Sequence, residues 1–451
     1  MTRWLTIALL CLTAPLAAQA PDAACLARAR AATDSVAKLH IPSTTLTQYQ
    51  VRNLRALDSL HTARCVTSTP VPPPDTVPSP PPPPPPPDTT PAPPSPTLPA
   101  WARAVDRIVG PIPNCAQLAT ASGPLREWYD AWRKWEPVRW KADSSRWDAA
   151  DYYDRAAIYY AMAACELGHD STLSATYRAR GDALALDYRD KYLIPAEPKG
   201  GTSAHWAQLE GVALHALTTG DSTSRRWVGR AADVLATTGY YTRRVFGDTN
   251  HIDYENRIGQ RALLSSLLAH ELQSPGRSFS AARWPGVLDT LLTLTTRAQR
   301  ADGSWGFRCS TGACGLTFPY MDALLMDVLI RFERLYRPDA RIRPIIQRTI
   351  DYHLAHAVRA DSSWHYNLTP LPGGTIGGRT ASPDLNGLHP AAYAWLAQQT
   401  GDSTYIARVA PLFLKGVRAG QYTGTKQFNQ AFYSSYRYVA MRQAATSPST
   451  P

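Results

Sequence analysis

The sequence predicts an all-α architecture in which helical hairpins are arrayed in a ring. Two observations carry this reading. The segment Gln299-Arg300-Ala301-Asp302-Gly303-Ser304-Trp305 recurs in degraded form as Arg359-Ala360-Asp361-Ser362-Ser363-Trp364, at a period suited to a two-helix unit. A second series, Gly168-His169-Asp170-Ser171, Gly220-Asp221-Ser222-Thr223, Arg337-Pro338-Asp339 and Gly401-Asp402-Ser403-Thr404, closes one helix and opens the next. Gly supplies the left-handed end of the first helix, and Asp or Ser caps the second by accepting a free N–H.

The chain has 451 residues with 44% hydrophobic content, enough for one large core. Residues 1–18 read as a cleavable signal peptide: Arg3 precedes an apolar run from Trp4 to Leu16 and then small residues, too short to span a bilayer. The expectation is therefore a secreted or periplasmic protein of bacterial type, with no transmembrane segment in the mature chain. Cys25 and Cys65, Cys115 and Cys165, and Cys309 and Cys314 are neighbours in sequence and are expected as three disulfides. No further His or Cys follows the last pair at ligand spacing, and neither metal nor cofactor is expected.

Residues 22–66 read as a small helical hairpin stapled by its two cysteines, a module suited to cell-surface attachment. Residues 67–100 form a Pro-rich linker with an unbroken run from Pro80 to Pro87, which adopts stiff polyproline II. The ring occupies 101–445, and 446–451 form a disordered tail. Hairpins are predicted near 151–190, 204–238, 254–299, 318–357 and 385–418. A last helix from 427 to 443 pairs with the segment Leu125 to Trp147 and closes a ring of six. The tryptophans crowded there, at positions 128, 132, 135, 140 and 147, suit helix packing more than a sugar platform.

The hairpin period, the motif from Gln299 to Trp305 and the helix opening Phe318-Pro319-Tyr320-Met321-Asp322 resemble the six-hairpin (α/α) toroid superfamily. That group holds polysaccharide lyases, unsaturated-glucuronyl hydrolases and other glycosidases. The resemblance implies an (α/α)6-type toroid with a cleft on the face of the long connections. The Gln–Gly–Trp element is also similar to a repeat of terpenoid cyclases, but the sequence has no Asp-x-Asp-Asp cluster.

In a hairpin ring the tight turns share one face and the long connections the other, and binding residues concentrate on the long ones. The richest connection contains His251, Asp253, Tyr254, Glu255, Asn256 and Arg257. Asp253 also suits a helix cap, and Glu255 suits the positive end of the helix dipole. His205, Trp206, Glu210, Tyr320 and Asp322 open inner helices. Trp305 and Trp364 end outer ones, and His365, Tyr366 and Asn367 follow Trp364. A Gly-rich stretch with Arg379, expected as a flexible lid, leads to Asp384, Asn386 and His389.

These residue types support two chemistries. β-Elimination on a uronate needs Asn and Arg donors to neutralise the carboxylate, and a Tyr or His to move protons. Hydrolysis needs two carboxyl groups flanking the bond, drawn from Asp253, Glu255, Glu210 and Asp322. The formal charge of +11 favours an acidic polysaccharide or oligosaccharide. The arginines are scattered rather than clustered, which disfavours nucleic acid. The alternative is a non-catalytic secreted protein that binds glycan or a cell surface.

Overall fold

The computed structural model describes residues 98–147, 152–196, 202–237, 256–305, 317–370 and 376–446. All of them lie in the second of the chain's two compact units, Pro94–Pro451. The expected N-terminal hairpin and the cysteines expected to pair as Cys25–Cys65 and Cys309–Cys314 lie outside the described residues, as does nearly all of the expected linker.

Helices account for 73% of the described chain. They are α1 (Ala100–Val109), α2 (Cys115–Thr120), α3 (Gly123–Asp143), α4 (Arg155–Glu166), α5 (Ser171–Tyr188), α6 (Glu210–Thr219), α7 (Ser222–Thr237), α8 (Asn256–Glu271) and α9 (Trp284–Ala298), followed by α10 (Pro319–Leu335), α11 (Ile342–His356), α12 (Pro390–Thr400), α13 (Thr404–Ala419), α14 (Thr425–Phe432) and α15 (Ser435–Thr446). Five consecutive pairs, from α4–α5 to α12–α13, pack as hairpins. The first member of each pair also packs on the next first member, and α12 packs on α15 while α14 returns to α4. The ring is thereby closed, with α3 lying outside α14 as the sixth outer helix.

Burial separates the two layers. Helices α4, α6, α8, α10 and α12 are buried around almost their whole circumference, as expected for helices enclosed on all sides. Small residues allow the close approach this requires. A Cβ at Gly211 of α6 would collide with Ala156 of α4. The outer helices bury one face only, as α13 does through Tyr405, Val409, Leu412, Phe413, Gly416 and Val417. The tryptophans of α3 pack in the closing seam: Trp132 contacts Tyr159, Tyr177, Phe428 and Phe432, and Trp128 donates to Ser435 Oγ at 2.8 Å.

The turn chemistry follows the sequence. Gly220 (φ 77°) and Gly401 (φ 72°) end α6 and α12 in the left-handed region. Asp170 caps α5 by accepting from Leu173 N at 2.9 Å, and Asp221 accepts from Thr223 N at 2.9 Å. The two copies of the longer motif form the same turn. Arg300 N donates to Ser304 O and Arg359 N to Ser363 O, both at 2.9 Å, while Asp302 and Asp361 accept from Ser304 N and Ser363 N.

Among the described residues, one two-stranded sheet interrupts the helical ring. His365–Pro370 (β1) and Ile376–Ala381 (β2) pair antiparallel, with Asn367 opposite Arg379. Of the Gly-rich stretch expected as a flexible lid, Ile376 to Arg379 belong to β2, and Gly373, Gly374 and Thr375 lie outside the described residues. Gly378 serves packing: the His365 ring occupies the space above it that a Cβ would need.

The Cys115–Cys165 disulfide joins α2 to the end of α4 across a separation of 50 residues, as expected from sequence. Replacing both cysteines by Ser is expected to lower stability by about 2–4 kcal/mol, because the unfolded chain regains the entropy of that loop. Denaturant unfolding under non-reducing conditions measures it; equal midpoints for variant and parent would show that the crosslink contributes nothing.

Candidate functional site

The N-terminal ends of the inner helices converge on one face of the ring, because every long connection runs from an outer helix to the next inner one. A cavity of about 400 Å³ opens there, within the usual range for small-molecule sites. Tyr152 and Tyr153 enter it just before α4, Arg257 from the first turn of α8, and Phe318, Tyr320, Met321 and Leu324 from the start of α10. Tyr366 comes from β1, Ser382, Asp384 and Leu385 from the turn before α12, and Lys426 and Gln430 from α14. Helix N-termini are the positive ends of their dipoles, so this geometry favours negative charge before any side chain is counted.

The opposite end of the ring is crossed by α1, which packs on α4, α6 and α10. Its carbonyl at Val109 accepts from Tyr436 Oη and Arg437 Nε, while Asp106 pairs with Arg334 and Arg107 with Glu271. Glu271 and Arg334 lie at the C-terminal ends of α8 and α10, which places α1 far from the cavity along the helix axes.

Aromatic rings and cations dominate the cavity wall. Tyr320 stacks on Tyr366 with centroids 5.5 Å apart, and Phe318 meets both rings edge-on. Tyr366 is 41% exposed, so one ring is open to a ligand. Arg257 and Lys426 both lie over the Tyr152 ring, at 5.5 and 5.0 Å from its centroid. Arg257 also bonds to His205 Nδ1 at 2.8 Å. A guanidinium only donates, so this nitrogen accepts and the imidazole proton sits on Nε2.

Asp384 is the carboxylate that lines the cavity among the described residues. Gln430 Nε2 donates to its carboxylate at 3.0 Å and to its carbonyl at 2.8 Å, which anchors the turn before α12. Burial raises the Tyr153 phenol far above the ordinary tyrosine value, although Arg257 and Arg261 pull against it. Tyr320 is raised in the same direction, chiefly by burial and then by its contact with Tyr366. Both therefore remain protonated and enter chemistry as hydrogen-bond or proton donors.

A buried charged layer lies behind Tyr153. Its ring packs on Tyr433 at 5.6 Å, and the Tyr433 hydroxyl donates to Glu210. Glu210 pairs with Arg331, Asp327 pairs with Arg331 at 2.9 Å and with Arg437 at 3.2 Å, and all four side chains are buried. Asp154, which caps α4 and also accepts from Gly211 N, is pushed up to about 6 by burial and then by Glu210.

The sequence-expected residues divide between cavity, wall and core. His251, Asp253, Tyr254 and Glu255 lie outside the described residues. Arg257, Tyr320 and Tyr366 line the cavity, and His205 braces Arg257. Asn256, expected to act on a substrate carboxylate, is instead buried and turns its amide N–H to Asp322. Asp322, expected at the substrate, is buried between Asn256 and His353, whose Nε2 lies 2.9 Å away. His353 holds the Asp322 carboxyl down against the upward push of burial, which dominates.

Further expectations of substrate contact give way to packing. Glu210 is an interior ion-pair partner. Trp305 is buried and donates to Thr349 Oγ1 at 2.8 Å. Trp364 stacks at 4.1 Å on His389, itself fully buried and held far below the ordinary histidine value by desolvation. Asn386 is buried and ties three backbone groups, donating to Ser362 O and Leu412 O and accepting from Trp364 N. Trp206 packs its half-buried ring edge-on against Tyr192, while His365 and Asn367 sit on β1 outside the cavity lining. Arg379 lies on β2 opposite Asn367.

Sequence reasoning missed Tyr152, Tyr153, Lys426 and Gln430. A usable signal existed for three of them, since Tyr152, Tyr153 and Lys426 stand, as Asn256 and Arg257 do, at the entry to an inner helix, whereas Gln430 lies one turn further along α14. Among the described residues no group of three or more His, Cys, Asp or Glu side chains is placed to hold a metal ion, and no helix is long and apolar enough to cross a membrane.

The sequence matches no family model and no curated protein. Among solved structures that match is an unsaturated glucuronyl hydrolase titled "UGL_D88N/dGlcA-Glc-Rha-Glc". The alignment covers 68% of this chain and 93% of that one, at 12% identity and a TM-score of 0.43. At that level of similarity, the chemistry of the cleft rests on this chain's own residues.

Proposed function

We propose that this protein is a secreted carbohydrate-active enzyme that cleaves an acidic polysaccharide or oligosaccharide in the cleft at the inner-helix N-termini, with β-elimination as the favoured reaction. The observation that carries the reading is the union, in one cavity, of stacked tyrosines, two cations over Tyr152, and a carboxylate. Aromatic faces suit sugar rings. Arg257 and Lys426 would hold a uronate carboxylate and neutralise the charge that develops on it as the neighbouring proton leaves. Asp384 would accept that proton, and the neutral phenol of Tyr153 or Tyr320 would deliver one to the departing glycosidic oxygen.

Hydrolysis is the second reading. It uses Asp384 as one carboxyl and calls on Asp253 or Glu255 for the other. Incubation with alginate, pectate, glucuronan, hyaluronan and chondroitin, following ultraviolet absorbance and reducing ends together, distinguishes the two. Elimination yields both signals, because each cleavage creates an unsaturated product. New reducing ends without absorbance would replace elimination by hydrolysis. Binding to these polymers without either signal would make the protein a glycan-binding scaffold.

A further inference from the structure

Three cavity residues from different elements, Arg257, Tyr320 and Tyr366, each stand beside a member of one buried cluster. Asn256 precedes Arg257, Asp322 follows Tyr320 by two positions, and Trp364 precedes Tyr366 by two. Asp322 is 1% exposed and engages both oxygens of its carboxyl group. Oδ1 accepts from Asn256 Nδ2 on α8, and Oδ2 meets His353 Nε2 on α11 at 2.9 Å. The His353 ring is fully buried and meets Trp364 edge to face, 5.8 Å between centroids, and Trp364 leads directly into β1.

An acidic residue in the first turn of a helix is ordinarily explained by the helix dipole. That role asks only for a carboxylate near the positive end, and an exposed one would serve. It does not account for burial, or for side chains from two other helices ending on the same carboxyl group. Asn256 Oδ1 and His353 Nδ1 have no hydrogen-bond partner, so each of these side chains makes its hydrogen bond to Asp322 alone. First turns are also where backbone N–H groups lack intrahelical partners, and where helices open most readily. Apolar packing is non-directional and fixes the separation of inner helices better than their register. Hydrogen bonds weaken steeply with misalignment, so a shared carboxyl group fixes register as well.

We propose that Asp322 and His353 are positioning residues. They lock the first turns of α8 and α10 and the entry to β1 onto the outer helix α11, and so set where Arg257, Tyr320 and Tyr366 stand around a bound glycan. Both lie in the wall behind the cavity lining and act only through those three side chains. The inference rests on the cleft reaction proposed above.

The test compares Asp322→Asn with Asp322→Leu, each in the full-length protein and assayed well below its own unfolding midpoint. In Asp322→Asn the amide oxygen can accept from Asn256 and the amide N–H can donate to His353 Nε2, the imidazole proton moving to Nδ1. Its kcat is expected to stay within about threefold of the parent. Asp322→Leu keeps the volume and cuts both ties, and its kcat is expected to fall about 10²-fold, the effect of a small misplacement. A purely structural role would lower the unfolding midpoint and leave kcat of the folded protein unchanged. Where Asp322→Leu does not fold, His353→Leu cuts the α11 arm alone and is expected to lose about tenfold, with His353→Gln restoring it. A Leu variant within about threefold of the parent would overturn the proposal, as would Asp322→Asn falling as far as Asp322→Leu, which would assign the role to the charge. Crystal structures of the parent and the variants separate this from the reaction itself. Arg257 and Tyr320 are expected to shift relative to each other by about 1 Å in the Leu variant and to superpose in the Asn variant. A parent that turns over no glycan removes the reaction, and these structures still decide the brace: unmoved side chains in the Leu variant overturn it.

Discussion

Replacing Asp384 by Asn is expected to lower turnover on an acidic glycan about 10²- to 10⁴-fold, the usual contribution of a positioned proton-transfer group. The substitution is nearly isosteric, and the amide oxygen can still accept from Gln430 Nε2, so the turn before α12 is retained. What disappears is the capacity to take a proton. Because Arg257 and Lys426 bind the substrate independently, the loss should fall on kcat with little change in KM. A variant whose kcat stays within about threefold of the parent would remove Asp384 from the mechanism, whether elimination or hydrolysis.

Replacing Glu210 by Gln is expected to cost about 3–5 kcal/mol of folding stability, because the buried guanidiniums of Arg331 and Arg437 are then left to share the single carboxylate of Asp327. Combining it with loss of the Arg331 guanidinium, as Glu210→Met with Arg331→Met, should recover much of the deficit. Asp327 and Arg437 remain paired in the double variant, at 3.2 Å. Chemical denaturation followed by tryptophan fluorescence measures both. A single variant that loses under about 1 kcal/mol would show that Glu210 is not a desolvated ion-pair partner.

A pH dependence follows from the same layer. Burial pushes Asp154 up to about 6, and Asp327 is raised in the same direction by burial despite its guanidinium partner. The folded state then holds protons that the unfolded chain has released. Their contribution to stability is full below about pH 4 and is lost as pH rises through about 6. Glu210 is one cause of both shifts, so Glu210→Gln should flatten this slope.

How much of the site was legible depended on what each residue answers to. The face of the ring could be read from the sequence, because the Gly–Asp turns are short-range objects whose chemistry is local. Arg257, Tyr320 and Tyr366 could be read because each stands at a junction between a scaffold helix and a long connection. Asn256, Asp322, Trp364 and His389 stand at equivalent junctions and point elsewhere. One residue step along a helix turns a side chain by about 100°, enough to carry Arg257 into the cavity and Asn256 into the wall. Polar residue type does not reveal that rotation, since a buried Asn or His that finds partners is as acceptable as an exposed one.

The sequence alone determined the helical hairpins, their order, the Cys115–Cys165 pairing and the end of the ring at which a cleft would open. These depend on periodicity, caps and turn residues within a few positions of one another. Tertiary structure decided which polar side chains meet. The clasp on Tyr152 joins residues from the entries to α4, α8 and α14, and the ion pairs of Glu210 join α6 to α10. Those meetings depend on how the ring closes, and closure is a property of the summed packing of six hairpins that no local stretch of sequence encodes.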